Sequence, residues 1–424
     1  MAVVVPFKAM RPKRQYVKAV ASPPYDVVTL KEARKIAEGN PLSFLRVEKS
    51  EIDAVSCSGI ANDNIYEIAR LNLNRLIQKG IMFQEKTACF YIYRQKMMSH
   101  EQYGIVGGIS VAEYESGRIK RHELTMPDKE IDRIRHITTV NAQTGPVFVT
   151  YRYQDSLGRI IEEVVMDQPE YDFTADDGVS HTVWIIKDER EIRAVADEFA
   201  KIDKLYIADG HHRAAAAAVV GKMRREQNPT NRGDEAYNYM MAVLFPHNQL
   251  KIFEYNRLVR DITALADRTE FFNKIGEKFL ITDAFREKSP GRPCEFGMYL
   301  GGKWYKLTLR DNRYEGSNPV RDLDVSILEN HLLEPVLGIQ DTRTDSRIEF
   351  VSGIRGCEEL ERLVDSGEFT VAFSLYPINV AQLMDVVDAG GIMPPKSTWF
   401  APKPQSGIFI HLLNCNYSVN PLAS

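Results

Sequence analysis

The chain has 424 residues, a formal net charge of −4, 44% hydrophobic residues and 26% charged residues. This profile is typical of a globular protein with two or three domains, and the near-neutral charge argues against nucleic-acid binding by the whole chain, although a local basic patch stays open. No apolar run reaches the roughly 20 residues that a membrane span needs, so we expect no membrane partner.

The cysteine pattern and the start of the chain favour a cytoplasmic protein. The five cysteines are scattered singly without a CxxC pair, which argues against both a zinc ribbon and a disulfide framework. In the opening stretch, "MAVVVPFKAMRPKRQ", the basic residues follow a short apolar run, which is the wrong order for a signal peptide. The oligomeric state stays open.

The first half of the chain predicts a series of strands and helices. Pro23 and Pro24 in "ASPPYDVV" restrict the backbone and hold Tyr25 and Asp26 in a loop. Apolar spacing then predicts a helix over 62–79, paired strands over 88–96 and 103–111, a turn and strand end over 114–125, a helix from Pro127 to about 140, and strands over 145–153, 181–188 and 237–245.

The second half begins with fewer strands. The pattern predicts a helix over about 262–279, a hairpin that turns on Gly301-Gly302, a helix over Asp322–Ile339, a short helix near 358–365, the strand "TVAFSLYP", a helix over 380–389, a loop over 390–407 and a closing strand "IFIHLL". This mixture predicts an α+β fold with a mixed-sheet core rather than a doubly wound sheet. Domain borders are expected near residues 195 and 260.

The stretch "YIADGHHRAAAAAVVGKM" carries the strongest functional signal. It predicts a short buried strand, a turn at Gly210 with Asp209 as the cap residue, and a helix whose first turn holds His211, His212 and Arg213. Positive charge in a first helical turn is unfavourable by about 0.3–1 kcal/mol per charge. A bound phosphate would resolve that conflict, because a helix N-terminus offers free N–H groups.

Two other interpretations of this stretch stay open. In the first, one histidine caps a neighbouring strand and the other is exposed. In the second, His211 and His212 hold a metal ion in a hydrolase, although adjacent histidines point in different directions and the HExxH spacing is absent.

A second cluster is Lys120-Arg121-His122-Glu123, at a predicted strand end. Arg121 and His122 can bind an anion beside Glu123 as a base, or the four residues can form a surface ion-pair cluster. The sequence favours neither.

Two loops offer further candidates. The proline-rich stretch "MPPKSTWFAPKPQSG" holds Lys396 and Lys403 in a stiff loop that lines a site or simply connects two elements. Asp26, in the "PPYD" loop, can bind metal or substrate, or can stabilise the turn.

Several blocks together resemble a known family. "SPPYDV", "RHELT", "YIADGHHR", "DVSILE" with "LLEPVLGI", and "MPPKSTWFAPKPQSG" run from Ser22 to Gly407 and resemble a widespread bacterial family catalogued as a domain of unknown function. The "DGHHR" turn is also similar to that of the ParB/sulfiredoxin-like fold, which includes archaeal free-serine kinases. The resemblance implies a mixed-sheet core with a ParB/sulfiredoxin-like nucleotide-binding unit and a C-terminal α/β region.

The resemblance further implies a kinase that phosphorylates free L-serine to O-phosphoserine, with Mg²⁺ and with ATP as the predicted donor, whereas the archaeal relatives use ADP. The implied roles are phosphate contacts by Gly210, His211, His212 and Arg213, charge stabilisation by Arg121, His122 and Lys396, metal binding by Asp209, and catalysis by Asp209 and His211 with Glu123, or else Asp26, as the base.

The resemblance also implies how the chain is organised and where it departs from the family. Residues 1–195 are expected to form an N-terminal α+β region, 196–260 the phosphate-binding unit of the same core, and 261–424 a C-terminal region. At Asn256, before Arg-Leu-Val, the family pattern leads us to expect histidine. The alternative function is a non-catalytic nucleotide-binding switch of the ParB type.

Overall fold

A computed structural model describes residues 2–54, 65–262, 268–310 and 318–414. The chain forms two compact units, Met1–Leu250 with Pro402–Ser424, and Lys251–Ala401. Borders near residues 195 and 260 were expected from the sequence, and the return of the C-terminal segment to the first unit was not. Among the described residues, no helix is both long and apolar enough to cross a bilayer.

The first unit is built from short strands and mostly short helices. Its strands before residue 250 are β1 (Val4–Val5), β2 (Met10–Pro12), β3 (Met82–Gln84), β4 (Phe90–Met97), β5 (His100–Ser110), β6 (Ile119–Lys120), β7 (Ala142–Gln143), β8 (Val147–Tyr151), β9 (Tyr171–Thr174), β10 (Ser180–Ile186), β11 (Leu205–Asp209) and β12 (Tyr239–Pro246). Its helices are α1 (Val17–Val20), α2 (Leu30–Ala37), α3 (Leu45–Glu48), α4 (Glu51–Ala54), α5 (Ile65–Gln78), α6 (Val111–Glu115), α7 (Pro127–Val140), α8 (Asp155–Val164), α9 (Glu189–Ala200) and α10 (His211–Gln227).

A mixed sheet organises the first unit. Within the described residues it has nine strands in the order β6-β11-β8-β12-β5-β4-β10-β9, with β1 beside β5. The pairs β6–β11 and β8–β12 are parallel, and the other pairs are antiparallel. The predicted mixed-sheet core is therefore confirmed. Because β6 and β11 are parallel neighbours, their C-terminal ends lie side by side at the same end of the sheet.

The alanine run of α10 is explained by burial on two sides. Ala214, Ala215, Ala217 and Ala218 belong to the cluster that covers the sheet, whereas Ala216 packs with α7 and the segment near residue 237. Small side chains let the helix backbone lie close to both neighbours, and alanine also has the highest helix propensity. Helix α10 is thus held firmly from its first turn.

The second unit contains a smaller antiparallel sheet. Its strands are β13 (Ile252–Phe253), β14 (Tyr255–Val259), β15 (Phe279–Asp283), β16 (Glu295–Leu300), β17 (Lys303–Leu309), β18 (Ile348–Ser352), β19 (Val371–Leu375) and β20 (Trp399–Phe400), and its helices are α11 (Arg268–Lys278), α12 (Asp324–Leu328), α13 (Cys357–Asp365) and α14 (Val380–Asp388). The main sheet has the order β15-β17-β16-β19-β14-β18, and α13 packs its Leu360 and Val364 on it. Strand β21 (His411–Leu412) belongs to the first unit and pairs with β7.

Most predicted elements are present, and the exceptions have local causes. The predicted helix over Asp322–Ile339 is wrong in extent: α12 continues only as a π-helical turn to Leu333, because Pro335 lacks an N–H and disfavours helix before it. The predicted turn at 114–125 begins inside helix α6, which Ser110 caps by accepting from the N–H of Glu113. Residues 62–64 and 263–267 of two predicted helices lie outside the described residues.

Gly221 provides a test of how closely α10 packs. A Cβ at this position would lie 2.6 Å from the carbonyl oxygen of Tyr237, which is a backbone atom that cannot turn aside. We expect Gly221→Ala to lower the free energy of unfolding by about 1–3 kcal/mol despite the better helix propensity of alanine. Urea unfolding measures this change.

The matched control is Gly276→Ala in α11, where a Cβ would meet nothing within 4 Å. This control should raise the free energy of unfolding by about 0.5–1 kcal/mol. Equal stabilisation by both substitutions would contradict the close approach of α10 to residue 237.

Candidate functional site

The "DGHHR" motif forms a strand, a turn and a helix, as predicted. Strand β11 ends at Asp209, Gly210 adopts a left-handed backbone with φ 88°, and α10 begins at His211. Glycine is required at the turn because other residues disfavour positive φ, and the Arg213 side chain lies 3.1 Å from where a Cβ would be. The first turn of the 17-residue helix α10 therefore presents backbone N–H groups that have no intrahelical acceptor.

The predicted capping role of Asp209 is wrong. The N-cap of α10 is Gly210, which makes no side-chain cap hydrogen bond. Asp209 instead accepts hydrogen bonds from two cations, the Lys403 ammonium at 2.7 Å on Oδ1 and the Arg213 guanidinium at 3.0 Å on Oδ2. Burial acts to raise the pKa of Asp209, but these two cations outweigh it and hold the pKa at about 2. Asp209 is thus a fixed carboxylate that orients both cations.

Arg213 is the centre of the charged cluster. Besides Asp209, it donates to the carbonyl oxygen of Pro146 and lies 3.6 Å from Oδ2 of Asp26. Its side chain is 11% exposed, and its Nε is buried without a hydrogen-bond partner among the described residues. Asp26 of the "PPYD" loop and the "DGHHR" turn are therefore brought together as one site, although they are far apart in sequence.

A buried ion cluster positions the "PPYD" loop. The Arg133 guanidinium of α7 lies 4.0 Å from the centre of the Tyr25 ring and 3.6 Å from Glu48 of α3. Beside Arg213 these residues line a cavity of about 20 Å³, enough for about one water molecule. Glu48 and Arg133 are not among the residues singled out from the sequence, because no local motif marks either of them.

Arg121, His122 and Glu123 directly follow β6, the parallel neighbour of β11. The rings of His122 and His211 meet edge to face with centroids 4.5 Å apart, and Nδ1 of His211 lies 4.0 Å from Oε2 of Glu123. Arg121 is exposed and lies over the Tyr114 ring at 5.2 Å. The "RHE" and "DGHHR" motifs thus meet at one sheet edge, where the half-exposed Glu123 carboxylate faces solvent.

Both histidines of this cluster are neutral at pH 7. Burial lowers the pKa of His122 to about 4, and it lowers the pKa of His211 with help from the neighbouring His122. Nδ1 of His122 lies 2.9 Å from the carbonyl oxygen of Ile207, which can only accept, so this nitrogen carries the proton. Among the described residues, His122, Glu123 and His211 form a group that could hold a metal ion, and His212 is not part of it.

The two lysines of the proline-rich loop lie in different units. Lys396 is in the second unit, where its ammonium lies 5.5 Å from the centre of the Tyr255 ring and its carbonyl oxygen accepts from Arg257. Lys403 is in the first unit and bonds Asp209. Lys396 is the lysine expected to stabilise phosphate charge, whereas the lysine that contacts Asp209 is Lys403, between Pro402 and Pro404. The role of Lys396 stays a prediction.

Buried neutral histidines also predict a pH dependence. Burial lowers the pKa of His122 to about 4, of His181 to about 3 and of His411 to about 4. Because the unfolded chain binds protons near pH 6.5 and the folded chain does not, stability should fall as the pH falls from 6.5 toward 4, by up to about 1.4 kcal/mol per pH unit for each group. Urea unfolding at pH 7, 6 and 5 measures this slope. His411→Asn should make it shallower, and an unchanged slope would contradict the assignment.

Comparisons with known proteins identify a family that matches the chain and several solved structures that are similar to it. The family described as "Protein of unknown function (DUF1015)" matches residues 4–326. No curated protein matches the sequence. Among solved structures, one described as "Free serine kinase in complex with AMP" is 13% identical with a TM-score of 0.34, over 70% of this chain and 87% of that chain.

Two further structures show similar coverage. A conserved hypothetical protein from Pyrococcus furiosus is 14% identical with a TM-score of 0.34, over 73% of this chain and 95% of that one. SbnI with C-terminal truncation from Staphylococcus aureus is 11% identical with a TM-score of 0.36, over 70% and 82% respectively.

Proposed function

The chain belongs to the family described as "Protein of unknown function (DUF1015)", and from this premise we propose that it is a nucleotide-dependent kinase that phosphorylates free L-serine to O-phosphoserine. The observation that carries the proposal is the convergence of Arg213 and Lys403 on Asp209 at the N-terminus of α10. Two cations beside free helix N–H groups form a place for phosphate.

The phosphate-binding part of the proposal follows from the charges. Asp209 balances Arg213 and Lys403 before the nucleotide arrives and holds both side chains in position. An incoming phosphate adds the negative charge that the helix N-terminus favours, and Arg213 can bind two of its oxygens with its planar guanidinium. His211 and His212, on the same turn, are proposed to donate further hydrogen bonds.

The base must be a carboxylate that can accept the proton of the serine hydroxyl. Asp209, with a pKa of about 2 and both oxygens bound to cations, is a poor acceptor. Asp26 lies 3.6 Å from the Arg213 guanidinium, so its carboxylate already faces a cation. Glu123 is the most exposed of the three carboxylates and has a neutral histidine as its neighbour. We therefore assign the base to Glu123, with Asp26 as the second choice.

The proposed step is an in-line phosphoryl transfer. The serine hydroxyl oxygen forms a bond to the terminal phosphorus, its proton passes to Glu123, and the bond from that phosphorus to the bridging oxygen breaks, so that the shortened nucleotide leaves. Arg213, Lys403 and the α10 amides stabilise the charge on the equatorial and bridging oxygens. Arg121 and His122 are proposed to support them.

Mg²⁺ is part of the prediction, but Asp209 does not fit as its direct ligand. Both Asp209 oxygens accept from cations, so an ion there would have to displace Lys403 or Arg213. When bound, Mg²⁺ would neutralise charge on the phosphates of the donor, and we derive no step through it. The choice of serine, and of ATP over ADP, rests on the sequence resemblance, and a nucleotide donor fits the predicted cytoplasmic location.

The proposal is tested by donor consumption with and without acceptor. Purified protein with Mg²⁺ receives ATP or ADP, either alone or with a panel of free amino acids that includes L-serine. Consumption that requires L-serine supports the kinase. Consumption without any acceptor indicates a hydrolase, and nucleotide binding without consumption indicates the switch module; either result contradicts the proposal.

A further inference from the structure

The cluster of His122, Glu123 and His211 has the composition of a metal site. Each side chain offers a ligand atom, and the three atoms lie within 4.8 Å of one another. Zinc bonds of about 2.0–2.1 Å would bring tetrahedral ligand atoms to about 3.3 Å apart, so the side chains must move closer by up to about 1.5 Å. The Glu123 side chain is 43% exposed, so part of that movement can be made without displacing packed neighbours.

The hydrogen bond of His122 prepares it for a metal ion. Because its Nδ1–H donates to the carbonyl oxygen of Ile207, Nε2 is the atom that keeps a lone pair. Metal-binding histidines typically donate their second ring nitrogen to a carbonyl or carboxylate in this way, which fixes both the tautomer and the ring orientation. His122 therefore already has the tautomer that a metal ligand bound through Nε2 needs.

His211 gives an independent indication. Its Nδ1 faces Glu123 at 4.0 Å, and its Nε2 is buried with no hydrogen-bond partner among the described residues. A buried ring nitrogen without a partner is costly, because it has lost its hydrogen bonds to water. An ion bound by Nε2, after the ring turns, would remove that cost.

We infer that His122, Glu123 and His211 bind a divalent transition-metal ion of the zinc class. Two imidazoles and one carboxylate favour Zn²⁺, Co²⁺ or Mn²⁺ over Mg²⁺, which takes oxygen ligands almost exclusively. Three protein ligands also leave one coordination position open. The site differs from the predicted metal position at Asp209 and from a His211–His212 pair.

Binding has a consequence that rests on the proposed function. A Glu123 carboxylate that is bonded to a metal ion has lost the lone pair that would take the serine proton. The ion therefore blocks the assigned base, and we expect Zn²⁺ to inhibit phosphoryl transfer in the presence of saturating Mg²⁺.

The binding test uses Co²⁺ and Zn²⁺ on the full chain without nucleotide. We expect one equivalent of Co²⁺ to give visible absorption bands of a four-coordinate site, and titration calorimetry with Zn²⁺ to give a 1:1 stoichiometry. Loss of a residue that only supports a ligand typically costs about 10- to 100-fold in metal affinity, so Glu123→Gln and His122→Gln, which remove ligands, should each weaken binding by at least that factor. His100→Gln, outside the cluster, is the control and should leave binding unchanged.

Two results would overturn the site: no 1:1 binding, or binding that Glu123→Gln and His122→Gln both leave intact. Because Glu123 is half-exposed, its variant should fold even if the buried His122 variant does not. The kinase assay separates the two proposals. If Zn²⁺ binds at this site and turnover continues, Glu123 is not the base. If Zn²⁺ does not bind and turnover proceeds, the metal-site proposal is wrong and the kinase proposal is supported.

Discussion

Glu123→Gln should reduce the turnover of L-serine phosphorylation by about 10²–10⁴-fold, which is the range for loss of a general base. Glutamine has nearly the same shape but cannot accept the hydroxyl proton. Because Glu123 lies at the sheet edge beside His211, whereas Arg213 and Lys403 are the proposed phosphate contacts, nucleotide affinity should stay within a few fold of the wild type. Turnover is measured by product formation, and affinity by titration calorimetry.

Two variants control this experiment. Glu162→Gln, on the exposed face of α8, removes a carboxylate of the same kind away from the cluster and should leave turnover unchanged. Asp26→Asn tests the second choice of base. If Asp26→Asn abolishes turnover while Glu123→Gln keeps it, the assignment of the base passes to Asp26.

Arg213→Ala should weaken nucleotide binding by about 10- to 150-fold. A hydrogen bond to a charged group contributes about 1.5–3 kcal/mol, and Arg213 is the cation that lies closest to the turn that precedes α10. The variant also leaves Asp209 and Asp26 near each other without their shared partner, so some loss of stability is expected as well. Calorimetric titration with ATP and with ADP measures the affinity.

A conservative variant and a matched control separate affinity from folding. Arg213→Lys keeps the charge but loses the planar fork, so it should recover the fold and only part of the affinity. Arg225→Ala removes an arginine at the other end of α10, where it pairs with Glu115, and should bind nucleotide normally. Wild-type affinity in Arg213→Ala would contradict the phosphate-binding role.

Local patterns predicted the elements that hold the site. Strand β11, the turn at Gly210 and the start of α10 follow from an apolar run, a glycine and an alanine-rich helix, all within twenty residues. The hairpin at Gly301-Gly302 and helix α7, which begins at Pro127, were predicted for similar reasons. Helices α8 and α9 received no assignment, although Asp188 caps α9 by accepting from the N–H groups of Arg190 and Glu191.

The contacts within the site were not accessible to local reasoning. Which lysine reaches Asp209 depends on where the chain returns to the first unit, and the motif drew attention to Lys396 rather than Lys403. The meeting of His122 with His211 depends on the parallel pairing of β6 and β11, which joins residues far apart in sequence. The contact of the Arg133 guanidinium with the Tyr25 ring likewise joins two segments that no local sequence pattern connects.

The most direct test of the kinase proposal is phosphorus NMR of the wild-type chain with Mg²⁺, L-serine and either ATP or ADP, with Glu123→Gln in a parallel sample. We expect a new phosphomonoester signal at the position of O-phosphoserine, together with loss of the signal of the donor's terminal phosphate. The new signal should be nearly absent in Glu123→Gln. Release of inorganic phosphate alone, or an unchanged spectrum from protein that still binds nucleotide, would contradict it.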